Sequence, residues 1–318
     1  MKVGKITGHP PDVHSYTEDS QTWLAPKLNL GLEIEIENPA KTVPNFDVLH
    51  PWWERQEDGS LRNNGFELVL GNPLFGKDLT EAVLAAERFV RGNEKLETNY
   101  RTGFHVHVDC RNMELAELER FFIIYALYER AIFEIAGQHR RNSNFCSPWG
   151  RISDHLESVF SIFDADASAE TISLTLRNVD RYSALNCNAL HKYGSLEFRH
   201  LEMTKDFDKI RNWINLIMSI YNACLIGSKY GPNYPVEDFI RVAEKGGAIE
   251  MARNIFPEWF IPHISDMYVW EGIMLVRDVL ADLNVKSTFL AFGGIREVCP
   301  FAGMNPALTL FLDKWKES

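Results

Sequence analysis

A chain of 318 residues, 45% hydrophobic and 24% charged, is long enough to bury one large core or two modest ones, which excludes a disordered or fibrous polymer. Its formal net charge of -11 opposes non-specific binding to DNA or RNA, a mode in which Lys and Arg displace counterions from phosphates. Five cysteines, Cys110, Cys146, Cys187, Cys224 and Cys299, are an odd number without CxxC spacing, which argues against a disulfide framework and a structural zinc knuckle and fits a reducing compartment.

Met1 to Tyr16 carries two lysines and no apolar stretch of signal-peptide length. The most hydrophobic run, Trp213 to Ile226, is interrupted by two asparagines and a serine. The expectation is a soluble cytoplasmic protein with no membrane contact.

Along the chain, residues 1–27 are polar, contain His9-Pro10-Pro11 and show no period, so they read as an N-terminal arm. The ordered, enzyme-like part starts near Leu28. It opens with the alternating strand Gly31-Leu32-Glu33-Ile34-Glu35-Ile36-Glu37. A polar loop with Pro39, Pro44 and Trp52-Trp53 follows, then a turn at Asp58-Gly59-Ser60 and a strand over Phe66 to Leu70. Asp78 is placed to cap a helix reaching about Arg91, with Gly92-Asn93 as its stop.

A second alternating strand, Gly103 to Asp109, precedes the clearest helix. There Leu115, Leu118, Phe122, Tyr125, Tyr128 and Ile132 recur at steps of three and four, predicting one side packed on a sheet and a stop at Gly137. A third strand, Ser195 to His200, leads to a helix over about Phe207 to Ile226. Residues 227–318 read as a mostly helical extension packed on the domain, with an apolar stretch at Met267 to Leu283. This order predicts the α+β class, with helices on one face of a largely antiparallel sheet.

The three strands share a property that decides the functional reading. Side chains two apart point the same way, so Glu33, Glu35 and Glu37, then His105, His107 and Asp109, then Glu197 and Arg199 form polar rows with apolar residues behind them. Singly, each row reads as the solvent face of an amphipathic strand, a histidine patch or a strand charge pair. Together they describe a floor on which carboxylates repel one another unless cations neutralise them. Carboxylates with an occasional imidazole favour Mg²⁺ or Mn²⁺ over a three-histidine zinc site. Glu197 could hold such an ion while Arg199 holds a phosphate.

More basic and amide groups occur in His139-Arg140-Arg141-Asn142 and in the run from Arg177 through Arg181-Tyr182 to Leu185-Asn186. Such runs are usually solvated loops. There is no Walker A or GxGxxG segment, so a nucleotide here would be held through metals and arginines.

Gly31-Leu-Glu33-Ile-Glu35, Asp58-Gly-Ser60-Leu, Gly65-Phe-Glu67-Leu, Gly103-Phe-His105-Val-His107-Val, Arg141-Asn142 with Phe145-Cys146, Arg181-Tyr182-Ser-Ala-Leu185-Asn186 and Leu196-Glu197-Phe-Arg199-His200 occur in this order. In that order they resemble the amidoligase family, which belongs with the glutamine synthetase-like carboxylate-amine ligases. The resemblance covers about residues 28–226 and implies a curved, largely antiparallel glutamine synthetase-like sheet around divalent ions and ATP. It implies metal binding by Glu33, Glu35, Glu67, His105 and Glu197. It puts His107 near the ATP phosphates, Arg181 and Arg199 on the transferring phosphoryl or acyl-phosphate, and Arg141 and Asn186 among the nucleotide contacts. Asp58 and Ser60 match a motif whose role here is read as substrate or amine positioning.

The implied activity is ATP-dependent amide or peptide bond formation through an acyl-phosphate, with Mg²⁺ or Mn²⁺ and with a carboxylate and an amine (amino acid, peptide or protein) as substrates. Two other readings use the same residues: a metal-dependent hydrolase of amides or phosphoesters, or a non-catalytic binding or assembly protein. Oligomeric state and the identities of both substrates are not legible.

Overall fold

A computed structural model describes residues 1–10, 24–25, 27–163, 166–225 and 247–282. The strands are β1 (Leu30–Ile36), β2 (Trp53–Gln56), β3 (Phe66–Leu70), β4 (Gly103–Asp109), β5 (Leu185–Asn186) and β6 (Ser195–Glu202). They form one six-stranded sheet in the order β2-β3-β1-β4-β6-β5, each neighbouring pair antiparallel. The helices are α1 (Val3–Thr7), α2 (Gly76–Gly92), α3 (Leu115–Ala136), α4 (Ser153–Phe160), α5 (Ala169–Asn178), α6 (Asn188–Tyr193), α7 (Phe207–Cys224), α8 (Ala248–Ile255) and α9 (Asp266–Asp282). This is the expected α+β arrangement.

The alternation in sequence becomes two faces of the sheet. Leu30, Leu32, Ile34 and Ile36 of β1, Phe66 and Leu68 of β3, Phe104, Val106 and Val108 of β4, and Leu196 and Phe198 of β6 are buried in the core. Helices cover that face. Trp53 donates its indole N–H to the Ala82 carbonyl of α2 at 2.9 Å, and Phe66 meets Phe89 of α2 at a ring distance of 6.4 Å. Phe198 packs against Phe121 and Tyr125 of α3 and Trp213 of α7 at 6.0, 5.9 and 6.4 Å.

The strands run antiparallel in a register that aligns the polar rows. Glu35 lies opposite Glu67, Glu33 opposite His105, and His107 opposite Glu197. Between Phe104 and Val106 the β4–β6 register shifts, so that His105 alone faces both Arg199 and His200, a β-bulge in β6.

Several local expectations change. Trp53–Gln56 lies in the expected loop yet pairs with β3 as an edge strand; Glu54, Arg55 and Gln56 are exposed, so no apolar alternation announces it. Asp78 does not cap α2: the helix starts at Gly76 with Phe75 before it, and Asp78 sits in the first turn, where its charge suits the helix dipole. Helix α3 packs on nearly all sides, because α7 and α9 lie against it as well as the sheet, and even Arg120 and Glu129 are buried. Its start is held by a capping box between Glu114 and Glu117.

Part of the expected arm is helical: Val3–Thr7 form α1, with Val3 and Ile6 buried and the Val3 N–H donated to the Met113 carbonyl at 2.9 Å. Helix α7 ends at Cys224, while the expected boundary at 227 and Cys299 lie outside the described residues. Cys110, Cys146, Cys187 and Cys224 are free and buried. No described helix is long and apolar enough to cross a membrane.

Candidate active site

The other face of the sheet is the wall of a cavity of about 1500 Å³. At its centre β1 supplies Glu33 and Glu35, β3 Glu67, β4 His105 and His107, and β6 Glu197 and Arg199. His105 Nδ1 lies 3.1 Å from Glu33 Oε2 and 3.4 Å from Glu197 Oε1, and its Nε2 lies 3.8 Å from Glu35 Oε1. His107 Nε2 meets Glu33 Oε1 at 3.0 Å and its Nδ1 meets Ser195 Oγ at 3.1 Å. Arg199 pairs with Glu197 two residues back on the same strand face, and Asn186 of β5 donates its amide to the other Glu197 oxygen at 2.6 Å.

Gly103 is what makes this packing fit. A Cβ there would overlap His105 Nε2 and approach Glu35 Oε2 to 3.1 Å, and the Gly103 N–H itself donates to Glu35 Oε2. Gly31 does the same for His107, whose Cβ would lie 3.2 Å from a Cβ at position 31. The glycines that open the GxExE and GxHxH motifs therefore leave room for imidazoles, Gly31 for His107 on the neighbouring strand and Gly103 for His105 on its own.

Ionisation follows from this crowding. Burial alone would raise Glu33, but hydrogen bonds from His105 and His107, with their charges, hold it well below the usual carboxylate range. Burial opposes ionisation of Glu197 too, yet Arg199, His107 and His105 bring it down. Burial would discharge His107, and its bond to Glu33 more than offsets this and raises it. Glu67 has no cationic partner among the described residues: burial, then the charges of Glu33, Glu35 and Asp58, push it up to about 8.

Three groups of side chains bring one ligand atom each within 4.8 Å of one another: Glu33, His107 and Glu197; Glu33, Glu67 and His105; and Glu35, Asp58 and Glu67. Carboxylate oxygens with at most one imidazole per group suit a hard divalent cation, and the raised Glu67 marks negative charge that such a cation would relieve.

Around this centre, Asp58 and Ser60 line one end of the cavity, bonded to each other through Ser60 Oγ and Asp58 Oδ2 at 2.9 Å. Arg181 lines the wall, with its guanidinium over the Tyr182 ring at 4.8 Å. Arg199 donates through Nε to the Phe145 carbonyl at 3.2 Å, so the Phe145–Tyr182 ring pair stands beside it. Asn186 reaches the cavity with its amide engaged by Glu197 and its oxygen by the Asn188 N–H.

Two residues of the sequence reading stand elsewhere. Arg141 does not line the cavity; it faces α9, 3.9 Å from Glu271. The 3-10 turn Gln138–Asn142 turns the preceding Arg140 into the wall instead. Glu37 leaves the carboxylate row: it accepts from the Arg62 N–H, Asn63 Nδ2 and Asn99 Nδ2 at 3.2, 2.8 and 3.1 Å and does not line the cavity. Sequence reasoning missed Arg101 and Ser195, both in the wall. Ser195 follows Gly194 at the head of the ExR strand, so the same period-two pattern could have flagged it.

No curated protein matches the chain. A family model described as "Putative amidoligase enzyme" matches residues 40–221, a span that carries Asp58, Glu67, both histidines, Glu197 and Arg199. With more than half of its length matched, the chain belongs to the amidoligase family.

Proposed function

We propose that the protein is an ATP-dependent carboxylate-amine ligase built on a glutamine synthetase-like sheet. The observation that carries this reading is the convergence of Glu33, Glu35, Glu67, His105 and Glu197 with Arg199 on one open sheet face around a 1500 Å³ cavity. That volume exceeds the roughly 300–1,000 Å³ of a single small-molecule site, which leaves room for a nucleotide and a second substrate side by side.

Mg²⁺ or Mn²⁺ would be held by Glu33, Glu67 and His105, with Glu197 beside His105, and by Glu35, Glu67 and Asp58, and when bound would neutralise charge shared by the phosphates and the attacking carboxylate. In the reaction, a substrate carboxylate oxygen attacks the γ-phosphorus of ATP, the bond to the β,γ-bridging oxygen breaks, and ADP leaves an acyl-phosphate. The amine nitrogen then attacks the acyl carbon, inorganic phosphate departs and the amine loses a proton. Arg199, already held beside Glu197, and Arg181 supply positive charge to the phosphoryl oxygens. His107, whose charged form the bond to Glu33 favours, would add a donor beside the phosphates. Asn186 fixes Glu197 from the far side. Asp58 and Ser60 would orient the amine.

The test is isothermal titration with a non-hydrolysable ATP analogue, with and without Mg²⁺, repeated on Glu35→Gln. Mg²⁺-dependent binding that is lost in the variant supports the ligase reading. Absence of nucleotide binding in the wild-type protein overturns it and turns attention to metal-dependent hydrolysis of amides or phosphoesters.

A further inference from the structure

Arg140 is 3% exposed, and its guanidinium touches no described carboxylate; it is spent on main-chain carbonyls. Its Nε donates to the His200 carbonyl at 3.0 Å, one Nη to the Arg199 carbonyl at 2.7 Å and the other to the Tyr100 carbonyl at 3.3 Å. Arg199 and His200 are the two residues that the bulge of β6 sets against the single His105. A bulge interrupts the ladder and frees backbone groups that, once buried, are costly unless bonded. A planar fork with several fixed donors can satisfy consecutive carbonyls, which a lysine ammonium cannot do with the same geometry.

The bulge also has a consequence for the site. Arg199 points into the cavity beside Glu197, while His200 points into the core, where Tyr125 meets its Nε2 at 2.8 Å. Arg199 keeps the alternation that puts it on the Glu197 face, and its own carbonyl lies in the bulge that Arg140 holds, while Tyr100 ties the same clamp to the turn that enters β4.

We infer that Arg140 is a positioning residue: by holding the carbonyls of Arg199 and His200 it fixes the β6 bulge and so aims Arg199 at the phosphoryl group. This rests on the ligase reading for the role of Arg199, while the clamp itself rests on the hydrogen bonds alone. It differs from a structural arginine in one respect. Its loss should weaken recognition of the group that Arg199 contacts, and not of the rest of the nucleotide.

The experiment compares Mg²⁺-dependent affinity for the non-hydrolysable triphosphate analogue with that for ADP, in wild type, Arg140→Gln, Arg140→Lys, Arg199→Gln and the double variant Arg140→Gln/Arg199→Gln. Arg199→Gln is expected to cut the preference for the triphosphate by about tenfold or more, the size of a lost charge-assisted contact. Arg140→Gln should cut it nearly as far, Arg140→Lys less, and the double variant no further than Arg199→Gln alone, since the two act through one contact. An unchanged preference in folded Arg140→Gln, or losses that multiply in the double variant, overturns the inference; if Arg140→Gln does not fold, Arg140→Lys with an unchanged preference does the same. A wild type that binds neither nucleotide overturns the ligase reading instead. The clamp is then decided by the crystal structure of Arg140→Lys: Arg199 turned away from Glu197 supports it, and Arg199 unmoved overturns it.

Discussion

Glu35 and Glu67 stand directly opposite each other on β1 and β3, two carboxylates facing one cavity across an antiparallel pair. Glu67 bears the consequence, pushed up to about 8 from 4.5 by burial and by Glu33, Glu35 and Asp58. Between those two pH values the unfolded chain has lost this proton and the metal-free fold keeps it, so the group makes the metal-free protein less stable as pH rises from 4.5 to 8. A cation bound there must displace the proton below pH 8. Mn²⁺ affinity should therefore climb with pH and level off above about 8. Glu67→Gln should abolish that slope and weaken metal binding, yet raise the melting temperature of the metal-free protein at pH 8 by about 2 °C or more. Calorimetric titration with Mn²⁺ from pH 6 to 9, with thermal melts in chelator, checks both; a flat pH dependence in the wild type contradicts the assignment.

Glu33 takes part in two of the three metal-capable groups and is absent from the one formed by Glu35, Asp58 and Glu67. Glu33→Gln should then lower the number of Mn²⁺ ions bound without reducing it to zero. It should also change His107. Although burial opposes the charge on this ring, the bond to Glu33 raises its pKa above 6.5, so its contribution to stability is full below pH 6.5 and is lost as pH climbs through the folded value. Without Glu33 the burial wins, and the imidazole resonance of His107 in the metal-free variant should titrate at lower pH than in wild type. An unmoved resonance would show that Glu33 does not hold the proton.

Much of this site is legible in the chain because strands have a period of two. Ile34 and Ile36 behind Glu33 and Glu35, or Val106 and Val108 around His107, reveal which side faces the core before any partner strand is known. What the period does not reveal is where it fails. Glu37 continues the row in sequence, yet the strand ends at Ile36 and the amides of Asn63 and Asn99, which are remote in the chain, claim its carboxylate. Arg140 and Arg141 are equivalent as a charge pair, and only the 3-10 turn after α3 decides that the first reaches the cavity and the second reaches Glu271. The edge strand β2 is invisible because its exposed Glu54-Arg55-Gln56 carries no apolar alternation.

Gly103 gives a test in which no charged or ligating atom is removed. A Cβ at this position would overlap the His105 ring and crowd the Glu35 carboxylate that accepts the Gly103 N–H. The His105 ring is held by Glu33 and Glu197, so it has little room to yield. Gly103→Ala should cost about 1–3 kcal/mol, the range for overpacking a filled site, and should weaken Mn²⁺ binding more than Gly59→Ala, where a Cβ meets nothing within 4 Å. Urea unfolding and metal titration of the two variants side by side check this, and equal metal affinity would remove the packing argument for the GxHxH glycine.

Beneath the sheet, a buried chain runs from β6 into α3. Burial, with a smaller contribution from Arg140, lowers His200 to about 3, so this ring is neutral at pH 7. Its Nδ1 has no hydrogen-bond partner among the described residues, which assigns the proton to Nε2 and makes His200 the donor to the Tyr125 oxygen at 2.8 Å. Tyr125 in turn donates to Glu129 Oε1 at 2.6 Å, and Glu129 also accepts the Trp149 N–H at 2.9 Å. Burial still dominates and pushes Glu129 up to about 7, against those donors. Glu129 therefore makes the fold less stable as pH rises from 4.5 to 7, and the tyrosine hydroxyl limits that loss by bonding the ionised form. Tyr125→Phe leaves His200 without an acceptor and removes one of the donors to Glu129, a change expected to cost about 1–3 kcal/mol. The cost should be greater at pH 8, where Glu129 is ionised, than at pH 6, where it holds its own proton. Chemical denaturation of wild type and variant at the two pH values measures the difference, and a cost that shrinks as pH rises would reverse the donor order along the chain.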